Sequence, residues 1–165
     1  MLEIRAALRP DVSAIQAIYA HHVLNGTSTF DTDPPDVRFW EQKLATLAAR
    51  GWPFLVAEQG GEPVGYCYAT QIRERPAYAP CCEDSIYVRA DRTGRGIGTA
   101  LLHALIGAAR DAGFEQMIAV VGGGEPASVT LHARCGFTEV GRLRNVGFKF
   151  GRYLDSVYMQ RDLRG

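Results

Sequence analysis

Ser85-Ile-Tyr-Val-Arg-Ala-Asp-Arg-Thr-Gly-Arg-Gly-Ile-Gly-Thr-Ala-Leu-Leu102 is the stretch whose reading decides the fold. It opens with β-branched and aromatic residues suited to a strand, passes through a polar turn into a glycine-rich loop, and continues as an amphipathic helix. Gly94, Gly96 and Gly98 leave the loop backbone uncovered, so successive N–H groups can face one concavity. The helix that follows adds its own unpaired N–H groups and the positive end of its dipole. Arg92 and Arg95 bring charge beside them. The arrangement predicts phosphate binding, although a plain strand-to-helix connection carries glycines too.

What the loop lacks narrows the ligand. A nucleotide P-loop follows its last glycine with Lys-Ser or Lys-Thr, whereas Thr99-Ala100 follows Gly98 here. A dinucleotide fingerprint sets G-x-G-x-x-G directly after the strand. This chain has G-x-G-x-G after a polar turn from Arg89 to Thr93, and Glu115 precedes the next strand instead of ending it.

The bulk properties exclude further classes. A chain of 165 residues fits one domain, expected over 1–165, with room for a sizeable core. Its 18 basic and 18 acidic residues balance, so no field draws it to nucleic acid or an anionic membrane. No apolar run reaches membrane-spanning length, and Met1-Leu-Glu-Ile-Arg begins a strand without the order of a signal peptide. Cys67, Cys81, Cys82 and Cys135 have no zinc-type spacing, and the adjacent pair is geometrically unsuited to a disulfide. The expectation is a soluble, cytoplasmic protein without metal.

Along the chain, a strand over 3–6 precedes a helix from Asp11 that carries Val12, Ile15, Ile18, Tyr19 and Val23 and stops at Asn25-Gly26. A second helix presents Phe39, Trp40, Leu44 and Leu47 and ends near Gly51. Strands over 54–57 and 64–72 form a hairpin across Gly60-Gly61; 73–80 is a loop, 85–88 the central strand and 98–112 the helix after the glycines. A strand over 116–121, a short helix opened by Pro126 and strands over 138–143 and 154–159 complete the series. This mixed order implies an α/β fold, one domain with a mixed central sheet and helices on both faces.

The order strand, Arg-Gly-Ile-Gly loop, helix, strand and second helix ending in Gly136-Phe137 resembles the GNAT N-acetyltransferase superfamily over nearly the full length. Its pyrophosphate loop reads (Q/R)-x-x-G-x-(G/A), with Thr93 here in place of Gln or Arg. Four segments resemble one branch, the phosphinothricin and methionine sulfoximine N-acetyltransferases. They are Tyr19-Ala-His-His-Val with Thr29-Phe-Asp-Thr, Arg73-Glu-Arg-Pro-Ala-Tyr, Glu83-Asp-Ser-Ile-Tyr-Val, and Val146-Gly-Phe-Lys-Phe-Gly-Arg-Tyr-Leu-Asp. The resemblance implies acetyl-coenzyme A as co-substrate, the α-amine of a small amino-acid-like compound as acceptor, and a homodimer. It implies that Ile86, Tyr87 and Val88 pair the pantetheine amides like an added strand, and that Gly94, Arg95, Gly96, Ile97, Gly98 and Thr99 hold the pyrophosphate. Arg134 and position 125 are further cofactor contacts; the family commonly has Asn where this chain has Glu125, and an ionised carboxylate cannot donate.

The chemistry then asks for particular groups. An alkylammonium must lose a proton before it attacks a thioester, the resulting oxyanion needs a fixed N–H, for which Val88 is the natural donor, and the leaving thiolate benefits from an acid. Glu83, at the start of the central strand, stands where the family places its catalytic carboxylate, acting directly or through water. His132 occupies a slot for a proton shuttle or an acid to sulfur, with a packing residue as the plainer reading. Arg73 and Arg75 are candidate bidentate grips for a carboxylate or phosphinate. Tyr78 and Tyr87 are candidate walls, Phe30 a packing partner for the acceptor, and Lys149 with Phe150 a reach into the pocket near the dimer interface. His21-His22 closes the first helix, either facing the acceptor or serving the helix dipole.

Two rivals stay open on sequence grounds. Another amino acid, a polyamine or an aminoglycoside would keep the donor and change the acceptor, though polycations would call for an acidic pocket. A non-catalytic acyl-coenzyme A binding module would keep the glycine loop and dispense with Glu83 and His132.

Overall fold

The structure, a computed structural model, describes residues 1–165. The strands are β1 (Leu2–Ala6), β2 (Phe54–Gln59), β3 (Glu62–Gln71), β4 (Cys81–Val88), β5 (Gln116–Gly122), β6 (Thr138–Lys149) and β7 (Arg152–Asp162). They form one seven-stranded sheet in the order β1-β2-β3-β4-β5-β7-β6. Every neighbouring pair is antiparallel except β4 with β5. The helices are α1 (Val12–Asn25), α2 (Val37–Arg50), α3 (Ile97–Asp111) and α4 (Pro126–Arg134). The expected mixed sheet with helices on both faces is the fold observed.

Side-chain alternation divides the core. Along β3, Cys67 and Ala69 join Cys82, Met117 and Ala119 beneath Leu101, Leu102 and Leu105 of α3. Tyr66 and Tyr68 point the other way, into a cluster with Ile15 and Ile18 of α1 and Trp40 and Leu47 of α2. Each fully buried leucine of α3 contributes about 1.5–3 kcal/mol relative to exposure. The Asp36 carboxylate caps α2 by accepting from the Phe39 N–H at 2.9 Å, and Gly51 at φ 70° ends it.

Two expectations need correction. The central strand starts at Cys81, not Ser85, because β3 continues to pair with it as far as Gln71 opposite Cys82; Glu83 and Asp84 interrupt the apolar pattern without interrupting the ladder. The last two strands also run further than 138–143 and 154–159. They meet in a hairpin turned by Phe150 and Gly151 at φ 52° and 73°, the paired left-handed residues of a two-residue turn.

Candidate active site

The sheet opens where its one parallel pair fails. Strand β4 pairs with β5 only over Cys81–Glu83 against Gln116–Ile118, while β5 runs on to Gly122 against β7. Flanking bonds from the Ile72 N–H to the Cys81 carbonyl and from the Arg89 N–H to the Val64 carbonyl fix the β3–β4 alternation. By that alternation Tyr87 spends its backbone groups on Tyr66, whereas Ile86 and Val88 direct theirs away from β3 into the gap. The expectation that three consecutive residues pair a ligand is therefore corrected: Ile86 and Val88 have backbone groups to offer, and Tyr87 offers its ring. His22, in the last turn of α1, takes the Val88 carbonyl at 2.8 Å from Nε2. The Val88 N–H thus stays directed into the gap while its carbonyl is held.

A cavity of about 700 Å³ follows from the gap to the glycine loop. It is lined by Ile86, Tyr87, Val88, Arg92, Gly94, Gly96, Ile97, Gly98, Thr99, Glu125 and Arg134. Gly94 and Gly96 are left-handed, at φ 74° and 80°, and no protein atom lies within 4 Å of where their Cβ atoms would stand. Their absent side chains leave a cradle ahead of the first N–H groups of α3. Gly98 has another reason to be glycine, since its Cβ would come 3.3 Å from a Leu131 methyl and separate α3 from α4. Arg95 is exposed and does not line the cavity; the cations at its wall are Arg134 and Arg92, the latter with its Nε 3.6 Å from the Asp91 carboxylate. Gly96→Val should leave the fold intact, weaken binding of a pyrophosphate ligand on the order of 10-fold or more through left-handed strain, and block the cradle. Calorimetry with acetyl-coenzyme A, beside a circular-dichroism check of folding, reads this out.

A second cavity of about 250 Å³ occupies the gap itself and brings together Phe30, Glu83, Asp84, Ser85, Tyr87, Ser128 and His132. The Glu83 carboxyl is half-buried. Burial and the charge of Asp84 raise its pKa, while Arg73 and Lys43 pull it partly back. His132 is buried on α4, with Nδ1 2.7 Å from the Ser128 carbonyl and Nε2 2.8 Å from an Asp84 carboxylate oxygen. One ring nitrogen faces a carbonyl and the other a carboxylate, an arrangement that satisfies two N–H donors and so favours the imidazolium. Burial pushes its pKa down, but the hydrogen bond and charge of Asp84 with the Ser128 carbonyl outweigh that, and the net shift is upward. In its protonated form the ring has no lone pair for proton abstraction.

Asp84 was not among the residues singled out from sequence. The signal was available: Cys82, Asp84, Ile86 and Val88 alternate onto one face, and an acid within such an apolar row requires a partner.

The acceptor-side expectations divide. Phe30 and Tyr87 line the smaller cavity. Arg73 is exposed, yet its charge reaches Glu83; its loop is pinned by Gln71 Nε2, which donates to the Arg73 and Arg75 carbonyls at 2.6 and 3.1 Å. Arg73, Arg75 and Tyr78 are all exposed and line neither cavity. Lys149 is also absent from both cavities; its ammonium is buried and donates to the Thr29 carbonyl at 3.0 Å. Phe150 is exposed at the hairpin tip.

A mixed sheet split beside a glycine-loop helix, with a half-buried carboxyl and unpaired strand amides at the split, defines an acyl-group transferase in which a long cofactor lies along the opened strand. Residues 4–158 match the family model described as the acetyltransferase (GNAT) domain, and the chain belongs to that family. It is 47% identical over 161 residues to a phosphinothricin N-acetyltransferase of Alcaligenes faecalis, covering 97% of this chain and 82% of that protein. It is 40% identical to an L-methionine sulfoximine/L-methionine sulfone acetyltransferase of Pseudomonas aeruginosa, over 97% and 94% of the two chains. The crystal structure of a GNAT superfamily phosphinothricin acetyltransferase from Sinorhizobium meliloti in complex with AcCoA superposes with a TM-score of 0.95 at 41% identity, covering 98% of this chain and 88% of that one.

Proposed function

We propose that this protein transfers the acetyl group of acetyl-coenzyme A to the α-amine of a small amino-acid analogue of the phosphinothricin or methionine sulfoximine/sulfone type. The observation that carries the reading is the opened edge of β4, where Ile86 and the Val88 N–H face the gap and Ile86 shares the small cavity with Glu83. The residues present fit the co-substrate: the strand edge suits the amides of its pantetheine arm, and the cradle at Gly94 and Gly96 with Arg92 suits its pyrophosphate. Acetyl-coenzyme A supplies an activated thioester carbonyl. The protein's part is to accept the ammonium proton on Glu83, to meet the negative charge that develops on the carbonyl oxygen with the Val88 N–H, and to keep both fixed. In this reading His132 is a positioning residue that ties α4 to β4 through Asp84.

The acceptor's anionic group falls to Arg73, whose charge is felt at Glu83; Arg75 is the weaker candidate. Arg73→Ala should lower acceptor kcat/KM roughly 10- to 150-fold, the worth of one charge-assisted hydrogen bond, with acetyl-coenzyme A affinity unchanged. Arg73→Lys should recover only part of it, an ammonium being unable to make two parallel bonds. Free-thiol release measured across phosphinothricin, methionine sulfoximine, methionine sulfone, their esters and simple polyamines tests the reading. Polyamines accepted as well as the amino-acid analogues would replace it with a general amine acetyltransferase.

Residues 1–165 act in this proposal as one acetyltransferase domain, working in the cytoplasm, where four free cysteines are compatible with the redox poise. The proposal includes a homodimer. Strand β6 is a sheet edge, and Val140, Leu143, Val146 and Phe148 on it, with Phe150 of the turn and Tyr153 of β7, are exposed apolar residues. Light scattering gives the mass directly.

A further inference from the structure

The segment from Gly26 to Pro35 that joins α1 to α2 crosses the open end of the sheet as a strap, and glycines on the strands beneath it admit it closely. A Cβ on Gly122 would lie 2.9 Å from the Ser28 carbonyl oxygen, and one on Gly123 would lie 2.8 Å from Thr27 Oγ1. The strap is tied from two further directions. Tyr19 bonds through its hydroxyl to Thr29 Oγ1 at 2.7 Å and donates to the Asp31 carboxylate, and Lys149 of β6 donates to the Thr29 carbonyl. Between these ties Phe30 lies against Gly147. A Cβ on Gly147 would meet the Phe30 ring at 2.6, 2.8 and 2.9 Å, from Cε2, Cζ and Cδ2. Gly147 does not have a left-handed φ, so space alone requires glycine there.

We propose that Gly147 sets the acceptor specificity of the site by seating Phe30, with Lys149 anchoring the strap that carries the ring. Phe30 is an apolar wall of the small cavity that also contains Glu83. The cavity's free space, about 250 Å³, is of the same order as one aromatic side chain, so a displaced Phe30 changes which acceptor side chains fit. The strand carrying Gly147 is held opposite Leu154 by the β6–β7 ladder, whereas the ring can turn about its side-chain torsions. A methyl at 147 therefore moves the ring, not the strand. The two inward positions of this end of β6, Gly147 and Lys149, thus act on one strap through space and through a hydrogen bond. Gly147 touches no reacting group and is a positioning residue. The inference rests on the acetyl-transfer reading for its acceptor, though the seat itself does not.

The test compares the native protein with Gly147→Ala, Phe30→Leu and the double variant, since leucine lacks the Cε2 and Cζ atoms nearest the new methyl. Acceptor kcat/KM is measured by thiol release for phosphinothricin and for alanine, a shorter probe. Phosphinothricin and acetyl-coenzyme A binding are measured by calorimetry. Gly147→Ala should change the phosphinothricin-to-alanine ratio of kcat/KM on the order of 10-fold, as displaced apolar contacts do, with acetyl-coenzyme A affinity unchanged. Phe30→Leu in the Gly147→Ala background should return the ratio towards that of Phe30→Leu alone, a non-additive pair. An unchanged ratio in Gly147→Ala, strict additivity, or a double variant that does not fold would each overturn the seat. If Gly147→Ala alters phosphinothricin binding with the expected rescue while no acceptor releases thiol from the native protein, the seat stands and the acetyl-transfer reading falls.

Discussion

Glu83→Gln is expected to lower turnover at neutral pH by ~10²–10⁴-fold, the usual worth of a general base, while acetyl-coenzyme A affinity stays as in the native protein. The amide matches the carboxylate in size but cannot accept the ammonium proton. Because burial and Asp84 raise the Glu83 pKa, the acid limb of kcat/KM should lie above the ordinary glutamate value of about 4.3. Below that limb the group is already protonated and idle, so native activity falls as pH falls through it. The variant has no such limb, and its rate should climb with the fraction of free amine, so that the difference narrows at high pH. A pH profile of kcat/KM for both proteins decides the matter. Native-like turnover of Glu83→Gln at pH 7 would reduce Glu83 to a strand-end acid.

Asp84→Ala should cost about 3 kcal/mol of stability near pH 6, because it strips a buried cation of its partner. Both side chains are almost wholly inaccessible, so solvent does little to screen the pair. The pH dependence follows from the raised His132 pKa. A histidine held above its unfolded value contributes fully below about pH 6.5 and loses that contribution as pH rises through its folded value. The gap between native protein and Asp84→Ala should therefore be widest near pH 6 and narrow as pH rises through the folded value. Asp84→Asn should lose less, since a neutral His132 can keep Nδ1–H on the Ser128 carbonyl and accept from the amide at Nε2. Urea denaturation over a pH series from 6 upward measures this. A gap that stays constant across the series, or that widens with pH, would mean that the dyad carries no imidazolium.

Near-contiguous patterns in the chain gave away most of the architecture. The apolar spacing of α1 and α3, the Gly51 stop, the Gly60-Gly61 turn and the run from Ser85 to Leu102 each state their structure within a dozen or so residues, because helix periodicity, caps and turns are local physics. The phosphate loop was legible for the same reason, lying on one strand–loop–helix unit, whereas Glu83 stood out only through the resemblance to the acetyltransferase family. Strand ends were not: β4, β6 and β7 extend through polar residues because ladder bonds, not side-chain hydrophobicity, hold those ends, and a ladder partner is distant in sequence.

What only the tertiary structure decided is which distant groups meet. It separated Ile86 and Val88 from Tyr87 by the β3 register, joined His132 to Asp84 across 48 positions, and set Lys149 on the Thr29 carbonyl across 120. It left Arg73, Arg75 and Tyr78 outside both cavities, with only the charge of Arg73 felt at Glu83. Local pattern fixes which elements form, since each turn of helix and each strand alternation is written in neighbouring residues. The pairing of buried charge with its partner, and of a glycine with the ring it admits, depends on how those elements pack, and no local pattern encodes that.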